Sequence, residues 1–134
     1  MKKYIYVMQR VHGGILMPLD FLLQNCKIGV STRPDLRVEQ VDDSTSGRVV
    51  LRRVYPMLWG AYVKERFLHL LFAPVRYTAK PARGHKHASG GTEWFHLTIF
   101  GRVLLEILLF ILAYDWVIAV IAILLTLNRH WQWV

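Results

Sequence analysis

The stretch from Val103 to Leu127, VLLEILLFILAYDWVIAVIAILLTL, constrains this chain more than any other: 25 residues carry only two charges. As one α-helix it would be about 37 Å long at roughly 1.5 Å per residue, enough for a bilayer core of about 30 Å with some tilt. The spacing predicts a single transmembrane helix and excludes a two-span hairpin. Glu106 follows Arg102 by four residues, so the two are expected to pair on one helix face at the membrane boundary. Asp115 falls near the middle of the run, where a carboxylate costs roughly 3 kcal/mol on insertion scales and is usually turned toward protein. Ala119, Ala122 and Thr126 follow it at helical spacing, small residues that let another helix approach. Asp115, Ala119 and Ala122 are therefore expected to form a packing face for a membrane helix of a second copy or of another subunit. The alternatives are a protonated Asp115 on a lone anchor, or a buried helix of a soluble fold.

Trp131 and Trp133, after Asn128, Arg129 and His130, have the composition of interfacial anchors. Residues 1–102 hold 16 of the 17 Lys and Arg and 7 of the 9 Asp and Glu, so the positive charge precedes the apolar run. The positive-inside rule then places that part on the cytoplasmic side of an inner membrane, with a single span and the short end outside. The same field would attract a nucleic acid or anionic lipid. Cys26 is the only cysteine, which excludes an internal disulfide and fits a reducing compartment. MKKYIYVMQR has no signal-peptide apolar run, so an intact N-terminus is expected.

In residues 1–98 the pattern predicts strand, strand, helix, strand, helix. YIYVMQRV (4–11), FLLQNCKIGV (21–30) and RVVLRRVYPM (48–57) have strand composition, and HGG marks a turn after the first. ILMPLD, broken by Pro18, is expected to form a long hairpin loop. Thr32 is the expected cap of a helix opened by Pro34 and Asp35. WGAYVKERFLHLLFA (59–73) has helical apolar spacing in Ala61, Phe67, Leu68, Leu71 and Phe72. VRYTAKPARGHKHASGG (75–91) reads as a basic loop, and TEWFHL (92–97) as a short closing strand or turn. The expected architecture is α+β: a small three-stranded antiparallel sheet flanked by helices (1–98), and one C-terminal transmembrane helix with its short end (99–134).

Tyr4-Ile5-Tyr6, Lys27-Ile28-Gly29, Arg37 eight positions after that Gly, Glu65 in KERFLH with His69 one turn later, and Glu93-Trp94-Phe95 occur in that order. In this order and spacing, roughly residues 3–97 resemble a GIY-YIG nuclease domain of the branch with Lys-Ile-Gly as second triplet and closing Glu-Trp-Phe. The chain departs from that pattern in having Tyr4 for the first Gly, Lys27 for the second Tyr, and a longer hairpin between the triplets.

The resemblance implies catalytic Tyr6, Lys27, Arg37 and His69 around a Mg²⁺ or Mn²⁺ held by Glu65, with DNA as substrate. Tyr6 would activate a water if a cation lowered its pKa from about 10. Arg37 would grip a nonbridging phosphate oxygen, and Lys27 would add charge there. One carboxylate suffices for Mg²⁺, which keeps waters and takes substrate oxygen as ligand. His69, on the Glu65 face, would relay a proton or brace the carboxylate. Glu93 is expected to be structural. His85 and His87 have metal-ligand spacing but no acidic or Cys neighbours, so a solvated basic loop is the expected reading. Lys80, Arg83, Lys86, Arg48, Arg52 and Arg53 are candidates for backbone contacts, with Arg52 and Arg53 on opposite faces of their strand.

Three functions follow: a membrane-anchored metal-dependent DNA endonuclease, a catalytically inactive accessory subunit of a membrane protein complex, or a DNA tether that does not cut.

Overall fold

The computed structural model describes residues 2–11, 23–45, 48–78, 83–84 and 94–132. Pro18, Lys80, His85, Lys86, His87, Glu93 and Trp133 lie outside them. Five strands, β1 (Lys3–Val11), β2 (Leu23–Ser31), β3 (Arg48–Met57), β4 (Arg76–Tyr77) and β5 (Trp94–Thr98), form one sheet in the order β3-β1-β2-β5-β4. Every neighbouring pair is antiparallel. The expected three-stranded sheet is thus corrected to five. The additional strands are two and five residues long, too short to show a period.

β3 carries Pro56 in its interior, and it tolerates the missing N–H because it is an edge strand. Its register against β1 shifts between Val7 and Met8, leaving Arg52 as the extra residue. The shift cancels the expected alternation of Arg52 and Arg53. Arg52 Nε donates to Gln9 Oε1 (2.8 Å) and Arg53 Nε to Glu106 Oε1 (3.3 Å), partners on the same side of the sheet.

Helix α1 (Pro34–Ser44) has Pro34 in its first turn and Asp35 near its positive end. The expected Thr32 cap is not formed. Arg33 occupies the cap position without a side-chain bond, and Ser31 Oγ accepts from the Arg33 N–H (2.9 Å). At the other end Asp42 Oδ1 accepts from the Val49 N–H (2.7 Å), tying the helix to β3. Helix α2 (Ala61–Leu71) begins after Gly60, whose φ of 64° suits a residue without Cβ. Its buried stripe is Ala61, Lys64 and Leu68, continued by Phe72, whereas Phe67 and Leu71 are exposed.

The two sheet faces differ. One carries Ile5, Val7, Cys26, Ile28, Phe95 and Leu97 and packs against α2 and helix α3 (Ile99–Ala113) through Leu68, Leu105 and Leu109. The other carries Tyr6, Met8 and Trp94 beneath Val38 and Val41 of α1.

The apolar run is not one helix. It divides at Tyr114 into α3 and α4 (Asp115–Gln132), bent by 59°, and neither is long and apolar enough to cross a membrane alone. α3 is a core helix: Leu105, Leu109 and Ala113 are buried. The predicted Arg102–Glu106 pair forms, but Glu106 also accepts from Tyr55 (2.7 Å) and so fixes α3 to β3. Asp115 does not wait for a membrane partner. Its Oδ2 lies 3.1 Å from the buried ammonium of Lys64, which also donates to the Leu112 carbonyl (2.8 Å). A cation at the end of α3 and an anion at the start of α4 each complement the helix dipole, and their pairing sets the bend. One oxygen of the acid on the expected packing face is thus taken by an intrachain ion pair, while Oδ1 has no hydrogen-bond partner among the described residues and Ala119 and Ala122 stay exposed on α4.

Candidate functional site

Lys27, Ile28 and Gly29 of β2 are approached from both sides of the sheet. From the α1 side comes Tyr6, directly opposite Gly29 in the register. The phenol lies across that glycine, so a Cβ at position 29 would collide with the Tyr6 hydroxyl and ring. Gly29 is required here because the ring occupies the space of a side chain. From the α2 side comes His69, whose Nε2–H donates to the Ile28 carbonyl (2.8 Å) and lies 3.6 Å from Glu65 Oε1. The ring also packs edge-on against Phe95 at 5.2 Å. With Nε2 committed as donor, His69 holds the Glu65 carboxylate by a fixed edge and does not ligate a metal through that nitrogen.

β5 pairs with β2 only as far as Lys27 opposite Trp94. Beyond that, among the described residues, β2 has no strand on its β5 side.

Glu65 and His69 line an open cleft of about 560 Å³ together with Tyr62, Arg66 and Arg76. One carboxylate and two guanidinium groups around an open cleft suit a cation and a phosphate together. Arg66 and Arg76 were not singled out in the sequence. The signal available was Arg66 beside Glu65 within KERFLH; Arg76, which begins β4, had no chosen residue beside it in the sequence.

The remaining predicted residues are placed differently. Tyr6 and Lys27 are buried rather than open to solvent, Lys27 between Met8 and Trp94 in neighbouring strands. Arg37 sits on α1, half-buried, with Nη1 donating to Gln40 Oε1 (3.1 Å), and is not part of the cleft lining. The structure therefore gathers Glu65 and His69 at the cleft, Tyr6 at the adjoining strand, and leaves Arg37 on the opposite helix. Among the described residues no cluster of three His, Cys, Asp or Glu offers a protein cage for a metal, and Glu65 is the one carboxylate in the cleft lining.

No curated protein and no solved structure matches the chain. A family model does, over residues 3–121: that of the T5orf172 domain. The match corrects the resemblance to GIY-YIG nucleases, since the family it identifies is a different, nuclease-like one and no GIY-YIG model matches. It also runs through α3 into α4, consistent with α3 being part of the packed core. The chain belongs to the T5orf172 domain family.

Proposed function

We propose that this protein acts on DNA as a metal-dependent endonuclease, with the cleft between Glu65, Arg66, His69 and Arg76 as its phosphodiester site. The observation that carries this reading is the Glu65–His69 pair hooked to the Ile28 carbonyl at the mouth of a cleft with two arginines. Family membership supports the coarser statement, a nuclease-like or DNA-binding role. The net charge of +8 supports an anionic partner.

Glu65 would hold Mg²⁺ or Mn²⁺, which when bound supplies a Lewis acid and an activated water. His69 keeps the carboxylate aimed into the cleft. Arg66 and Arg76 bind the phosphate and offset charge as it develops. Tyr6, lying across Gly29 from β1, is assigned the proton transfer; Lys27 adds positive potential from beneath, and Arg37 binds the strand from the α1 side.

The burial of Tyr6 and Lys27 favours a second reading, a DNA-binding domain that does not cut. Nicking of supercoiled DNA by the purified protein in Mg²⁺ separates the two. Cutting that is lost in Glu65→Gln and in EDTA supports the endonuclease; tight binding without cutting supports the binder. Tyr6→Phe reports on the phenol, because it keeps the packing over Gly29 and removes only the hydroxyl.

An accessory-subunit role loses part of the feature that suggested it, since Asp115 Oδ2 pairs with Lys64, while Oδ1 has no hydrogen-bond partner among the described residues. Attachment to a membrane remains part of the proposal. α4 buries no residue and exposes Trp116, Ile118, Ile121 and Leu124 on different sides, a distribution that suits surroundings as apolar as lipid. Retention in the membrane fraction after salt and alkaline washing supports it; release by salt contradicts it.

A further inference from the structure

The α1 face of the sheet carries a second group of polar side chains, at the opposite end of β1 from the cleft mouth. Arg10, Asn25 and His96 stand side by side on β1, β2 and β5, paired in register. His96 Nδ1 donates to Asn25 Oδ1 (2.6 Å), which fixes its tautomer and ring plane. The Tyr77 ring lies parallel to it at 3.7 Å, with 13° between planes. His96 is exposed while Tyr77 is half-buried against Trp94, so the stack presents a flat outer ring with a rigid backing.

Three donors on this face lack acceptors among the described residues: Arg10 Nε, the Tyr77 hydroxyl and Trp94 Nε1, each buried. Buried donors are nearly always satisfied, so three together on one face point to an acceptor from beyond the described residues. The local charge is positive. Burial lowers the His96 pKa first and the Arg10 charge lowers it further, while burial raises that of Tyr77 to about 12. Both rings are therefore neutral near pH 7, and Arg10 supplies the cation.

We propose that Arg10, His96 and Tyr77 form a nucleotide subsite for single-stranded DNA, in which Arg10 binds a phosphate and an unpaired base stacks on the exposed face of His96. This rests on the nucleic-acid reading of the cleft. An anion answers the part-exposed Arg10 side chain, and a base answers the flat ring of His96; a nucleotide has both, whereas an acidic peptide has no flat π-face.

The test is fluorescence anisotropy of the full chain with a labelled single-stranded oligonucleotide, in EDTA so that metal-dependent cutting is silent. Arg10→Gln is expected to weaken binding about tenfold and to lower the salt slope by about one. His96→Ala is expected to weaken it about fivefold, and His96→Phe, which keeps a flat ring, to bind within twofold of wild type. His96 is exposed, so its variants test the subsite without disturbing the core. If wild type binds and all three variants bind equally well, the subsite is refuted while the cleft reading stands. If wild type binds no oligonucleotide, single- or double-stranded, both readings fall. Equal losses in His96→Ala and His96→Phe would refute the stacking and with it the nucleotide assignment.

Discussion

The two faces of the sheet are built from alternate residues of the same strands, yet they serve different ends. Ile5, Val7, Cys26, Ile28, Phe95 and Leu97 point to α2 and α3 and make the larger apolar core. Tyr6, Met8, Arg10, Asn25, Lys27 and His96 alternate with them and line the face that α1 covers only in part. A period of two sets the larger apolar core on one face and the polar group of Arg10, Asn25 and His96 on the other, with the cleft at the α2 side of the sheet. Substitutions on the first face are expected to change stability, and those at the cleft and on the second face to change action on DNA.

The largest effect is expected at Phe95, fully buried between Phe72 and His69. Phe95→Ala removes an aromatic core side chain and is expected to cost about 3–5 kcal/mol in urea unfolding. A change below about 1 kcal/mol would mean the apolar face is not the stabilising one. Lys64→Ala comes next. It strands Asp115 and the Leu112 carbonyl, and is expected to cost about 3 kcal/mol and to expose the Tyr114 junction to limited proteolysis. An unchanged digestion pattern would show that the bend is held by something else.

At the cleft the expectation reverses. Arg66→Gln and Arg76→Gln side chains lie at the surface, so each is expected to keep the wild-type melting temperature while lowering nicking about tenfold. Loss of stability without loss of activity would break the division between faces. The smallest effect concerns Cys26 on the apolar face. Burial pushes its thiol from 9.0 up to about 11, with Arg102 and Arg52 acting in the opposite direction. The folded pKa exceeds the unfolded one, so this group's contribution is intact below pH 9 and fades as pH rises from 9 through 11. Cys26→Ala is expected to flatten that stretch of the stability curve, and native Cys26 to resist alkylation at pH 8. Rapid alkylation of the folded protein would contradict its burial.

Much of the strand and helix order was legible because β1, β2 and β3 are long enough to show strand composition, and because Pro34 and Asp35 mark where α1 begins. β5 falls in the stretch read as a short closing strand or turn, but its place beside β2 was not legible, and neither was β4, since two and five residues give no period and acquire their role only by pairing. The apolar run misled for a physical reason. Hydropathy is uniform across Tyr114, and what divides the run is Lys64, some 50 residues earlier, through an ion pair that no local window contains. Two clues were present: an acid within the run, and a lysine on the buried stripe of α2 between Ala61 and Leu68. At the site, Glu65 and His69 were legible from helical spacing as sharing one face. The burial of Tyr6 and Lys27 was not, because it depends on Gly29 giving up its side-chain space and on how β5 lies against β2.

The account stands most directly on the Glu65 carboxylate. Supercoiled plasmid incubated with wild type and with Glu65→Gln in Mg²⁺, at matched folded concentration, should be nicked by the first and spared by the second, with DNA binding retained in both. Equal nicking by the two proteins would contradict the assignment of the cleft as the phosphodiester site.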